Sequence, residues 1–526
     1  MAVVRTPSTT EPVPVLRVAT LGGPSAPNWW AALGAEASPV DRVRAHLMTA
    51  SLFTGTSLEP VPDLALLPLA TPRPEGGGEW VVEQEIAADR RWSDGSPIVA
   101  SDLVFYLERA RELALDGSHV VPQGLVAVEA PDEHTVRVRF DRSPGPALWP
   151  GAIGLAPFVP AHHWEPLLRD VGDRLALYGM EFRQPPVARA LAVEWVEMET
   201  RGEAYRLLAA GEVDLVHDPS GIAGLDQETL ELLEESERVS LTTNVRSPLR
   251  VLAMNQRGAP FDDPALRIAV AAVVDRVEMS EALGTVPAFS FHDPEAEVPA
   301  GPGTFDGERL DLAARLDAAV TLLEEAGYSW ATPPGMAGGD PVAGTGLTRP
   351  NGSAVGPIQF LVSELDPVRV EAARWIAGRV ALLGLEIEVV RMSDLAGIVL
   401  PPVSQDRASG WSMALLGWRW TGPADPAGLL IHLFHSSEDS FLRGGTNVTG
   451  FTSPVFDDLA DRYRATGSPS RASEIAAQME AVVLQEVAQL PLYRETITEA
   501  HAAGLPFAPV IDGIGSDPRS WPYQTP

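Results

Sequence analysis

The residues best suited to hold a ligand are aromatic. Trp29 and Trp30 are adjacent, and Trp418 and Trp420 flank Arg419. Indole faces stack on sugars, peptide side chains and flat metabolites alike, and an inward-facing arginine would meet an acid. Asn255 follows an apolar run, and its amide can bond a ligand or fix the chain crossing there. His432 and His435, with Glu438 one turn on, have helical spacing for a metal. No further ligand set accompanies them, so a structural pair is the stronger reading, as it is for His162 and His163. Gly410-Trp411-Ser412 echoes a nucleophile elbow, but an apolar strand follows where that motif needs a helix. The chemistry on offer is therefore binding, with no catalytic site, no metal site and no cofactor.

Composition narrows the field. The 526 residues contain no lysine and no cysteine. Schiff-base and phosphate-loop lysines are excluded, and Gly344-Thr345-Gly346 cannot be a phosphate loop. Disulfides and thiolate sites are excluded as well. The 39 basic residues face 71 acidic ones, for a net charge of −32. Such a surface repels phosphate backbones, so no nucleic-acid partner is expected. No apolar run reaches the roughly 18 residues of a membrane span. The uncharged stretch Ser143 to His162 is broken by five prolines and reads as a buried connection. The residues before Leu16 hold no apolar signal core, which leaves two expectations: an extracytoplasmic protein if a leader was trimmed, a cytoplasmic one if Met1 is the true start.

These residues need a scaffold of more than one core, given the length. Strands are expected at Leu16–Leu21, Glu79–Ala87, His134–Phe140, Leu249–Asn255, Pro357–Val362, Leu385–Met392 and Ser412–Trp418. His134 to Phe140 alternates strictly, with Val136, Val138 and Phe140 on one face. Helices are expected at Asp41–Leu52, after Ala100, at Ala204–Ala210 with Gly211 as stop, and at Arg267–Asp275. Others run over Asp317–Ala326, Pro367–Leu383, Pro454–Thr466 and Arg471–Glu486, with Gly327 and Gly384 as stops. Met336 to Pro357 is glycine-rich and reads as a flexible loop. Strands and helices alternate in mixed order, which is an α/β pattern.

Five stretches, in order, carry a resemblance. Arg91-Trp-Ser-Asp-Gly-Ser-Pro-Ile-Val-Ala-Ser-Asp-Leu-Val-Phe105 puts a tight turn at Asp94-Gly95 before a helix opened at Ser101-Asp102. The others are Gly211-Glu-Val-Asp214, Met254-Asn255 with Pro260-Phe-Asp-Asp-Pro264 and Arg267 to Arg276, Leu322-Leu-Glu-Glu-Ala-Gly-Tyr328, and Gly417-Trp418 with Asp425-Pro426 and Gly450 to Asp457. Together they resemble the family 5 extracellular solute-binding proteins, the peptide- and nickel-binding components of ABC importers, over nearly the whole chain.

The resemblance implies an α/β fold of the two-lobed periplasmic-binding-protein type with an extra subdomain. The first lobe would take residues 1–38, 150–248 and 490–526, the subdomain 39–149 and the second lobe 249–489, with crossings near Arg250 and Pro491. Ligand would sit between the lobes, touching Trp29, Asn255, Trp418, Arg419, Trp420, Thr421 and Asp425. The implied partners are a small-molecule or peptide-like ligand and ABC permease subunits, with the protein itself a monomer. Two departures matter. The family's peptide binders anchor the ligand's amine with an aspartate a few residues after Gly417-Trp418, and here that position falls on Thr421 or Trp420. A first-lobe element before Ala190 looks shortened. An amine-free, peptide-like ligand is expected; the alternative is a family member repurposed inside the cell as an enzyme or sensor.

Overall fold

A computed structural model describes residues 15–23, 25–32, 37–54, 61–68, 70–113, 125–141, 153–154, 156–169, 171–180, 187, 192–291, 310–400, 411–418, 426–466, 469–505, 507, 513–514 and 521. The chain opens on β1 (Val15–Leu21), whose inner residues Leu16, Val18 and Ala19 are fully buried. β2 (Phe53–Thr54) and β3 (Val61–Pro62) pair antiparallel. β4 (Arg73–Gly76), β5 (Glu79–Glu85), β6 (Leu125–Asp132) and β7 (Thr135–Phe140) form a separate sheet in the order β4-β5-β7-β6. Val136, Val138 and Phe140 of β7 are buried, as their alternation requires.

The main sheet gathers strands from both ends of the chain. It contains β1, β8 (Ala192–Met198), β9 (Leu215–His217), β10 (Val239–Met254) and the short β11 (Val286–Pro287). After a hairpin of β12 (Gly335–Ala337) and β13 (Asp340–Val342), it adds β14 (Ile358–Ser363), β15 (Ile387–Met392), β16 (Met413–Trp418) and β17 (Gln489–Ala502). The order is β15-β14-β16-β10-β17-β9-β1-β8, with β11 beside β17. β10 and β17 are the long central pair. Their ladder shifts register between Val245 and Leu249 and again between Arg250 and Val251. Pro248 and Pro491 lie at these shifts and lack the N–H a regular ladder needs.

Helices cover the sheet and are capped as the sequence suggests. Pro367–Ala381 starts at Asp366, whose carboxylate accepts the Arg369 N–H, and Arg201–Ala210 ends at Gly211 with φ +77°. The helix Pro264–Val273 buries Leu266, Ala269, Val270 and Val273 against β10 and β14, a core that also takes in Tyr493. The opposite face buries Leu249, Val251, Ala414 and Leu416.

Three expectations need correction. The helix from Asp41 to Leu52 is Pro39–Leu47, because Ala50 leaves it to bridge Phe158. Met336 to Pro357 is not a free loop: it holds β12 and β13, turned on Gly338 and Gly339 at positive φ, and it is tied back to Ser329 and Thr332 through Thr348 and Thr345. The strand at Leu249 begins ten residues earlier, at Val239.

Candidate functional site

Strand direction decides where a ligand could sit. β8 and β9 run parallel to β1, and β9 is antiparallel to β17. β10 is antiparallel to both β17 and β16, while β14 runs parallel to β15 and β16. His501 of β17 faces Leu215 of β9, and Leu249 of β10 faces Trp418 of β16. The carboxyl ends of β1, β8 and β9 therefore point towards those of β14 and β16, across Val245 to Leu249 of β10. In open α/β sheets, ligands bind outside the carboxyl ends of strands.

The edge on the β14–β16 side carries a charged hub. Arg250 donates through Nε and Nη2 to Glu495 Oε1 at 2.9 and 2.6 Å, and through Nη2 to Asp366 Oδ2 at 3.3 Å. Arg369 Nε donates to the same Asp366 oxygen at 2.7 Å. Gly417 makes this possible, since a Cβ there would lie 2.3 Å from Arg250 Nη1. Burial, with Asp366 and Glu495 close by, pushes the Tyr493 phenol above its ordinary range. Its hydroxyl is buried with no hydrogen-bond partner among the described residues.

The opposite edge is tied down by Asp218. Arg201 Nε donates to its Oδ2 at 2.6 Å, and Tyr205 O–H donates to Gly221 O at 2.8 Å. Gly221 has φ +57°, and a Cβ there would lie 2.2 Å from Thr498 O, so only glycine brings this loop against β17. Burial pushes the neighbouring His217 imidazole down. At the end of β8, Glu197 leans over Gly23.

The expected ligand residues do not all converge here. Trp418 ends β16 at this edge, half-buried, with Nε1 donating to Gln489 Oε1 at 2.8 Å. Its polar atom is used internally, which leaves a ring surface. Trp29 corrects the expectation, because it is 5% exposed, donates Nε1 to Ala45 O and packs edge-on against Trp30 and Tyr106. Asn255 is likewise corrected. It follows Met254, which pairs with Met413 at the far end of β16, roughly 16 Å from Trp418 at about 3.3 Å per residue. Its amide donates to Trp411 O and accepts from Arg257 N, holding the crossing. Arg419, Trp420, Thr421 and Asp425 lie outside the described residues.

His435 uses Nδ1 to accept from Ser437 N, and no group of three His, Asp or Glu able to hold a metal occurs among the described residues. The Arg91–Phe105 motif proves architectural. Buried Trp92 donates Nε1 to Asp102 Oδ2 at 2.9 Å, and Asp102 also accepts from Val99 N and Ala161 N. Sequence reasoning missed Asp366, Arg369, Tyr493 and Glu495. The available signal was charge inside apolar strands, Arg250 in Leu-Arg-Val-Leu and Glu495 after Leu-Tyr-Arg.

Residues 184–441 match the family model for bacterial extracellular solute-binding proteins, family 5, middle region. The chain belongs to the family 5 extracellular solute-binding proteins. Solved structures share the fold over almost the full length. CtaP, an ABC transporter substrate-binding protein from Listeria monocytogenes, is 17% identical, with a TM-score of 0.64 and coverage of 95% of this chain and 98% of its own. NikZ from Campylobacter jejuni, solved with nickel and L-histidine, is 17% identical, with a TM-score of 0.57 and coverage of 97% and 100%. AppA from Bacillus subtilis, an oligopeptide-binding protein solved with a nonapeptide, is 15% identical, with a TM-score of 0.55 and coverage of 96% and 97%. No curated protein sequence matches the chain at a significant level. This family 5 protein therefore has the two-lobed α/β fold, and its family members and structural neighbours are binding proteins, not enzymes.

Proposed function

We propose that this family 5 protein is the substrate-binding component of an ABC importer and takes a peptide-like ligand without a free α-amine between its lobes. The observation that carries the reading is the meeting of strand carboxyl ends across β10 and β17, in a chain of this family. The lobes are residues 1–38, 150–248 and 490–526, with the subdomain 39–149, and 249–489. The ladder shifts near Arg250 and Pro491 serve as the hinge. The Trp418 to Asp425 segment lines the cleft in this reading, with Trp418 and Trp420 supplying stacking surface and Arg419 able to meet an acid. Thr421 stands where a peptide binder would place its carboxylate, and a buried ammonium without a counter-charge costs several kcal/mol. The protein acts as a monomer, outside the cytoplasm, with permease subunits as partners.

Calorimetry against free and N-acetylated versions of the same short peptides tests the ligand class. Acetylated peptides should bind at least as tightly as free ones. Tight binding of free peptides that vanishes on acetylation would overturn it.

A further inference from the structure

The chain has five asparagines, and four of them are buried: Asn28, Asn244, Asn255 and Asn447. Each of the four is followed by a residue whose side chain crowds the next peptide nitrogen: Trp29, Val245, Gln256 and Val448. Asn351 differs on both counts. It is exposed, as are the two residues after it, Gly352 and Ser353. The turn that carries it is closed by its own bonds. Arg349 N donates to Ser353 O and Gly352 N to Arg349 O, each at 2.8 Å. Asn351 Oδ1 accepts from Ser353 N at 3.0 Å and from Ser353 Oγ at 2.7 Å. This Asx turn folds the side-chain amide back over the Asn351–Gly352 peptide. Gly352 has φ +83°, and even a Cβ there would meet nothing within 4 Å, so its nitrogen is open to approach.

We propose that Asn351 is a self-modification site, at which the Gly352 nitrogen attacks the Asn351 side-chain amide and the residue becomes an acid. A solvent base takes the Gly352 amide proton, and the nitrogen bonds to Asn351 Cγ. Negative charge gathers on Oδ1, where the two Ser353 donors already point, as donors do in an oxyanion hole. The Cγ–Nδ2 bond breaks, and Nδ2 takes up a proton and leaves as ammonia. Water then opens the cyclic imide. Entry at Cγ gives aspartate. Entry at the main-chain carbonyl carbon gives the isoaspartyl linkage, in which the chain runs through the side chain. Either product adds a negative charge. The isoaspartyl product also lengthens the main chain inside the turn, which pulls Ser353 O away from Arg349 N and disturbs the Thr348–Ala354 bridge. Because the Gly352 N–H must first leave Arg349 O, the step is slow and depends on hydroxide. It needs no ligand and no partner.

The full-length protein is incubated in neutral and in mildly alkaline buffer, and peptide mapping by mass spectrometry follows each asparagine. Conversion should be confined to residue 351 and should rise in proportion to hydroxide. It should yield aspartyl and isoaspartyl peptides together, the latter also read by isoaspartyl methyltransferase labelling. Asn351→Gln, at an exposed position, should abolish conversion, because the longer side chain must close a less favourable ring. Ser353→Ala keeps the main-chain donor and removes the hydroxyl. It should slow conversion by about fivefold or more, the effect of one hydrogen bond to developing charge. Ser353→Thr, which keeps a hydroxyl, should retain most of the rate, and equal melting temperatures for the three proteins exclude a general loss of structure. No conversion at residue 351, equal conversion at a buried asparagine, or Ser353→Ala reacting as fast as the natural sequence would overturn the proposal.

Discussion

Gly417→Ala is the sharpest perturbation of the hub. The new methyl would start 2.3 Å from Arg250 Nη1, where an ordinary contact needs about 3.5 Å, so the guanidinium must withdraw by roughly 1 Å. Its Nη2 contact to Asp366, already 3.3 Å, then passes the limit of a hydrogen bond, and the 2.6 Å contact to Glu495 lengthens. Arg250 is 9% exposed, so water replaces little of what is lost. One charge-assisted bond broken and one weakened costs about 2–4 kcal/mol. Removing the guanidinium should remove the penalty. In an Arg250→Met background the same alanine should cost less than about 1 kcal/mol, helped by alanine's lower chain entropy in a strand. Urea unfolding of the four proteins gives the coupling, read from the transition that carries the loss in case the lobes melt separately. A coupling below about 0.5 kcal/mol would refute the claim that Gly417 exists to let Arg250 pass.

Asp102→Ala leaves Trp92 Nε1, Val99 N and Ala161 N without their shared acceptor, and a loss of at least 3 kcal/mol, about 1 per orphaned donor, should appear as a lower melting temperature. His217 is held below its ordinary pKa by burial, so the unfolded chain binds its proton more readily than the native one. Its contribution is fully present above about pH 6.5 and falls as pH drops towards the folded value; His217→Gln should flatten stability between pH 5 and 7 in denaturant titrations, and an unchanged slope would count against it.

Local chemistry made much of the fold legible. Gly211, Gly327 and Gly384 all sit at helix ends with positive φ, and the strict alternation of β7 gave both its extent and its buried face. What stayed hidden was long-range. The first six residues of β10 read Val-Ser-Leu-Thr-Thr-Asn, which carries no apolar stripe, because this part is held by pairing with β17 and by Asn244 donating to Glu499. The same blindness affects the site. Trp418 and Trp29 stood out alike by residue type, yet one ends a strand at the ligand-facing edge and the other is buried in a core, a difference the residue type does not carry. Arg250, Glu495 and the helix start that carries Asp366 and Arg369 come from three separate stretches, and only the sheet brings them together.

The central pair of strands also sets a schedule for synthesis. Asn244 and Glu499 bond across 255 residues, and β17 is the strand that joins β9 to β10. Until residues 489–502 emerge, β1, β8 and β9 have no neighbour linking them to the rest of the sheet. Such non-local pairing folds slowly. A ribosome-stalled or truncated chain ending before Gln489 would hold local helices and the four-stranded sheet, yet expose the edges of β9 and β10, and it should be degraded by added protease at that junction first.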